Sequence, residues 1–268
     1  MSYKLKSFLV FLIFLNSCKE HSAEKVSSLQ QEKSVTSLKE NRYPASLEKV
    51  FHAHGGLNSW KGFKTLEYSI SKDDYNEKHT VSLFSRKDII KAPDYSLGFD
   101  GENVWKLDVL GNFKGDAVFY HNLFFYFYAM PFVLADEGIT YAETPNLEFK
   151  GVSYPGVKIS YDVGVGTSFK DNYYLHYHPE TYKMEWLGYT VTYRNGEASN
   201  NIKWIRYNDW QSVEKMILPK SITWYSYEGR EIQEAKKTML FSDVKLYKEE
   251  FLMDFFVAPK EAIYVMKK

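Results

Sequence analysis

Between Thr65 and Leu246 the chain returns again and again to one pattern, short runs in which apolar residues alternate with polar ones. Leu66, Tyr68 and Ile70 alternate with Thr65, Glu67 and Ser69. Val81 and Leu83 alternate with Thr80 and Ser82, and Val157, Ile159 and Tyr161 with Lys158, Ser160 and Asp162. A period of two sends successive side chains to opposite faces of an extended strand, so each run reads as a strand with one buried face. Trp105, Leu107 and Val109 share a face after the turn at Asp100-Gly101, and further strands are predicted near 173–178, 183–194, 201–210, 220–227 and 238–246. The signals between them are those of tight turns: His178-Pro179-Glu180, Asn195-Gly196 and Glu228-Gly229. Many short strands joined this way predict an antiparallel sheet that curls.

Two segments depart from that period. In "YPASLEKVFHAHGGLNSW", Leu47, Val50, Phe51 and His54 fall at i, i+3, i+4 and i+7, with Ser46 as a candidate cap and Gly55-Gly56 as the stop. This predicts one short amphipathic helix. The second segment, "AVFYHNLFFYFYAMPFVLADEG", is apolar on nearly every side from Phe119 to Leu134. It is too short to span a bilayer, which takes roughly 20 residues. A helix apolar all round is expected to be buried all round, and Pro131 should end or kink it. The fold class expected is therefore mainly β (α+β): a curled antiparallel sheet forming an incomplete β-barrel over one or more helices.

The N-terminus is built differently. Lys4 and Lys6 precede an apolar run from Phe8 to Leu15, then Asn16-Ser17 and the chain's one cysteine, Cys18. This is the layout of an export signal. The stretch "LNSC" resembles the lipobox of bacterial lipoproteins, which implies lipidation of Cys18 after removal of residues 1–17. Lys19 after the cysteine implies the outer membrane on the same resemblance. Two acyl chains or more would make such an anchor stable. Residues 18–42 are polar, lack aromatics and read as a lipidated tether, leaving 43–268 as the folded domain. A single cysteine cannot form an internal disulfide, so that domain rests on its core.

Lysine plus arginine and aspartate plus glutamate each total 34, so no net field draws nucleic acid. Aromatic residues make up 18% of the chain and tyrosine leads them, as suits surfaces that are apolar with a polar rim.

The stretch "HAHGGLNSWKGFKTLEYSI" resembles the start of the LolA/LolB-like lipoprotein-carrier superfamily. "FDGENVWKLD" resembles its Asp-Gly hairpin, and "FSDVKLYKEEFLMDFFVAPKEAIYV" its closing strand and tail. "AMPFVLAD", "MEWLGYTVTY" and "RYNDW" are similar to a narrower group of uncharacterised lipoproteins from Gram-negative envelopes. The resemblance implies an incomplete barrel whose concave interior binds acyl chains. Membrane contact through Cys18 sets this chain apart from the soluble carrier of that superfamily and favours an anchored receptor or lipid-binding role.

The candidate ligand-binding residues are Phe119, Leu123, Phe124, Phe127, Met130 and Phe132 on the apolar segment, with Trp105. They would line an acyl-sized cavity, or fill the half-barrel as core. Other chemistry lacks a pattern. His52 and His54 are two apart on a helix and point apart. His176 and His178 alternate on a strand, but a zinc site needs further ligands. No G-x-S-x-G turn or P-loop is present, and Asp209 reads as a turn carboxylate pairing with Arg206 or a backbone amide. No cofactor, metal or covalent chemistry is expected. The functional expectation is an anchored envelope lipoprotein that binds a lipid or an acylated polypeptide. The alternatives are an envelope interaction module with a filled interior and, behind it, a hydrolase on the same scaffold.

Overall fold

The computed structural model describes residues 42–162, 170–193 and 196–266. The signal segment, Cys18 and the tether up to residue 41 lie outside them.

Two short helices open the domain, α1 (Ala45–Ala53) and α2 (Leu57–Lys61). Leu47, Val50 and Phe51 bury one stripe of α1, at the predicted spacing. Ser46 does not cap it: Pro44 holds that position, with no side-chain bond. Gly55 and Gly56 end α1 with φ of 104° and 92°. A Cβ on Gly55 would stand 2.7 Å from the Lys215 carbonyl oxygen, so only glycine fits this close approach.

Five strands follow: β1 (Thr65–Ser71), β2 (Asn76–Ser82), β3 (Asp88–Lys91), β4 (Ser96–Phe99) and β5 (Val104–Leu107). The apolar segment forms α3 (Ala117–Tyr128) and, past Pro131, a 3-10 turn over Phe132–Ala135. Then come β6 (Ile139–Glu143), β7 (Leu147–Phe149), β8 (Val152–Tyr154), β9 (Gly156–Tyr161), β10 (Tyr173–Tyr177) and β11 (Met184–Tyr189). Three long strands, β12 (Lys203–Val213), β13 (Met216–Glu228) and β14 (Glu231–Tyr247), precede the terminal β15 (Ile263–Val265).

Thirteen strands make one antiparallel sheet in the order β15-β5-β4-β3-β2-β1-β14-β13-β12-β11-β10-β9-β6. Its edges, β15 and β6, do not pair with each other, so the barrel stays open. The inner face carries α1, α2 and α3. Leu66, Tyr68 and Ile70 of β1 pack there with Phe51 and Trp60, with Phe124, Tyr128 and Phe132, and with Leu187 and Ile205 from the far half.

The outer face is covered as well. The separate hairpin β7–β8 lays Leu147 and Phe149 over Trp186 and Trp204. The chain after β14 lays Phe251, Phe255 and Phe256 over Ile89 and Trp105. On this face three glycines are each roofed by a ring from the register partner. Gly98 faces Trp105, Gly188 faces Trp204 and Gly156 faces His176. An added Cβ would stand 2.4, 2.8 and 2.4 Å from those rings.

This layering corrects one expectation. Trp105 and Leu107 do share a face, but it is the outer one, and β5 ends before Val109, which is 84% exposed. Trp105 Nε1 donates to the Phe256 carbonyl oxygen at 3.1 Å.

Candidate functional site

The site is the inner face of the open sheet around α3. Asp116 starts the helix by accepting the backbone N–H groups of Val118 and Phe119 at 2.9 and 3.3 Å. That cap satisfies two of the donors a helix N-terminus otherwise leaves open. Beyond it the twelve residues of α3 carry no charge except what His121 can take.

Toward β1–β4, α3 is held by polar groups. His121 Nδ1 meets Asp88 Oδ2 at 2.6 Å, with both residues buried. Tyr120 Oη donates to Glu77 Oε2 at 2.7 Å. Glu77, 1% exposed, also accepts from Tyr95 and pairs with Lys72 at 3.2 Å and His79 at 3.4 Å. Burial pushes the Glu77 carboxyl up, but the bonds from His79, Tyr95 and Tyr120 and the Lys72 charge win and hold it down at about 2. Asp88 is pushed up by burial, which the His121 charge and hydrogen bond only partly oppose. His79 is pushed down by burial against the pull of Glu77.

Toward β10–β14 the same helix meets rings. Phe127 packs edge-on to Tyr189 and Trp224 at centroid distances of 5.2 and 6.1 Å. Tyr128 bridges the two halves, 4.5 Å from Tyr68 of β1, nearly parallel, and 4.6 Å from Phe241 of β14. A polar contact also joins this side, Tyr207 Oη donating to the Phe127 carbonyl oxygen at 2.9 Å. Past α3, Phe132 stacks on Trp60 at 4.7 Å.

The structure brings together most of the predicted ligand-binding residues. Phe124, Phe127, Met130 and Phe132 are buried in one cluster with both halves of the sheet. Leu123 is half-buried against that cluster, and Phe119 is half-buried beside Tyr193 at 4.6 Å. Trp105 is not among them; it lies on the outer face. The four buried side chains fill the interior. Two concavities lie elsewhere. One is a shallow groove of about 610 Å³ along Glu250–Phe255, the other a polar recess of about 290 Å³ between the β1–β2 turn and Lys237–Met239.

The histidines weighed in the sequence have separate tasks. His54 is fully buried: its Nδ1 bonds the Ile217 carbonyl oxygen and its Nε2 accepts the Met184 N–H, each at 3.0 Å. His52 is exposed. His176 lies under the hairpin β7–β8, whereas His178 caps the following turn through the N–H groups of Glu180 and Thr181. Asp209 accepts from Ser221 rather than pairing with Arg206, which turns to Glu185. Among the described residues no three His, Cys, Asp or Glu side chains converge as a metal site, and no helix is long and apolar enough to cross a membrane.

The polar seam of Glu77, His79, Asp88 and His121 was missed in the sequence. A signal was there: in "NEKHTVS", Glu77 and His79 occupy the positions that alternate in step with Val81 on the buried face. Ionisable residues at core positions mark a specific partner.

A family model described as "Family of unknown function (DUF6503)" matches residues 113–224, from the loop before α3 into β13. No curated protein matches the chain. Three solved structures are similar to it. A LolA superfamily protein from Nitrosomonas europaea is 10% identical, with 72% of this chain and 88% of that one covered and a TM-score of 0.43. A DUF1329 family protein from Desulfovibrio piger is 9% identical, with 78% and 95% covered and a TM-score of 0.45. A putative outer membrane lipoprotein-sorting protein domain from Vibrio parahaemolyticus is 9% identical, with 76% and 97% covered and a TM-score of 0.39. The first bears the name of the superfamily that the opening helix and the Asp-Gly hairpin resemble.

Proposed function

We propose that this protein is an envelope lipoprotein, anchored through Cys18 in the outer membrane, that binds a lipid or an acylated polypeptide on the inner face of its open sheet. One observation carries the reading. A helix aromatic at most positions fills an unclosed sheet, and side chains rather than strand pairing hold it there. Rings of this kind supply the apolar lining an acyl chain needs. Phe119 and Leu123, half-buried, are the first groups a chain entering beside α3 would touch. Occupancy then requires α3 to move, because Phe124, Phe127, Met130 and Phe132 occupy the space. We assign no covalent step to the site.

Native mass spectrometry of protein lacking residues 1–18, purified without detergent, tests this. A mass excess matching lipid, removed by organic extraction and restored by added lipid, is the expected result. A clean apo mass with no uptake overturns it.

The filled interior favours a second reading, an interaction module. Ile263 and Tyr264, both well exposed, stand on the edge strand β15 where it pairs with β5. Clustered exposed apolar residues mark interaction surfaces. The apo outcome above, together with a partner cross-linked through position 264, would select it.

A further inference from the structure

The hairpin β7–β8 is separate from the main sheet, and two side chains fasten its ends. His176 Nδ1 lies 3.0 Å from the Tyr154 carbonyl oxygen, where the hairpin leaves for β9. Arg230, on the turn between β13 and β14, donates to the Pro145 carbonyl oxygen at 2.8 Å, where the hairpin begins. The same Arg230 nitrogen lies 3.2 Å from His176 Nε2. We propose that His176 and Arg230 form an acid-released clasp that holds the β7–β8 hairpin over the outer face and lets go when the imidazole takes a proton.

The hydrogen bonds fix the starting state. A guanidinium can only donate, so His176 Nε2 must accept. The ring proton is then on Nδ1, donated to Tyr154, and the imidazole is neutral. A second proton would have to enter at Nε2, putting an N–H against the Arg230 N–H and a positive ring beside a positive guanidinium. The ring cannot turn away, because Gly156 lies against it closely enough that a Cβ there would stand 2.4 Å from Nδ1. His176 is fully buried.

The other groups around the ring do not offset that repulsion. Trp204 packs at 5.7 Å and carries no charge. Tyr174 lies beneath Arg230 at 5.9 Å. Glu185 is engaged with Arg206 at 3.7 Å, and Arg206 stacks on Phe149 and Trp186. His178 is on the far side of Tyr154, with ring centroids 6.4 Å apart. Burial first, with the Arg230 charge adding to it, lowers the His176 pKa to about 4 against the pull of the Tyr154 carbonyl. Opening therefore grows more favourable as pH falls below about 6.5, by up to tenfold per unit until about 4. Release uncovers the aromatic face of Trp186 and Trp204.

Hydrogen exchange of the full chain, read by peptide mass spectrometry from pH 7 to 4 and corrected for intrinsic rates, tests the clasp. We expect protection in 146–155 to fall about a hundredfold over that range in the native chain and to change far less in His176→Gln, while any fall in 65–82 and 203–228 caused by His54 is the same in both. In His176→Gln, which retains one donor and one acceptor without titrating, we expect a hairpin with no pH dependence of its own. In Arg230→Gln the midpoint should rise toward the ordinary histidine range. Protection that stays flat in the native chain overturns the proposal, as does a fall in 146–155 that His176→Gln leaves unchanged. An unchanged midpoint in Arg230→Gln overturns it even if His176→Gln fails to fold.

Discussion

The two halves of the sheet hold α3 by different physics. On the β1–β4 side hydrogen-bonded ions and tyrosines, with Asp88, Glu77 and His79 facing His121 and Tyr120, add to the stack of Tyr68 on Tyr128. On the β10–β14 side the contacts are ring on ring, with a hydrogen bond to the helix backbone. Apolar burial is non-directional and survives small shifts. Buried ion pairs demand geometry and cost desolvation when a partner leaves. The polar half therefore sets where α3 sits, and the aromatic half supplies most of the energy that keeps it there.

That division can be broken by substitution. Phe132→Ala and Phe127→Ala should each lower stability by about 3–5 kcal/mol, read by urea unfolding, because each empties a packed interior. Asp88→Ala should cost a similar ~3–5 kcal/mol by leaving a buried imidazole without its partner. The sharper test is Asp88→Leu combined with His121→Leu. Asp88 Oδ1 has no hydrogen-bond partner, so an apolar pair is expected to restore most of that stability. A double variant as unstable as Asp88→Ala would show that the seam contributes energy and not only position.

Acid sharpens the comparison further. Burial lowers His54 from 6.5 to about 4, against the Ile217 bond that raises it. A depressed histidine is protonated first in the unfolded chain, so its contribution is whole above pH 6.5 and is lost as pH falls toward 4. For His54 this amounts to roughly 3 kcal/mol. Denaturant midpoints measured from pH 7 to 4 should fall accordingly, and His54→Gln should flatten much of that slope. Glu77, held at about 2 against an ordinary 4.5, keeps its contribution whole down to about pH 4.5 and loses it only below that. The smallest effect belongs to the helix start. Asp116→Ala should cost about 1 kcal/mol through the lost cap, visible as a small drop in the thermal midpoint.

The sequence made part of this legible. Alternation at Leu66, Tyr68 and Ile70 identified β1 and its buried face, and the apolar run located α3 and its stop before Pro131. The strands "DIIK" and "SLGF" were missed because four residues leave too few repeats for a period. Trp105 was placed on the wrong side for a different reason. Alternation says which residues share a face, not which face is inside. Here the hairpin and the C-terminal segment cover the outer face, so both faces are apolar and the period loses its meaning. The polar seam was hidden because its members come from β2, β3 and α3, far apart in the chain.

The glycines under Trp105, Trp204 and His176 have a consequence for how this chain can change. In each pair one ring occupies the space of two side chains, so neither position can vary alone. An alanine at 98 has no room until the indole at 105 is gone, and a smaller residue at 105 leaves a bare strip of backbone above Gly98. Related chains should therefore carry both members of a pair or neither. The pair at 98 and 105 should change independently of the other two, whereas those at 188 and 204 and at 156 and 176 touch through His176 and Trp204, 5.7 Å apart, and should change together.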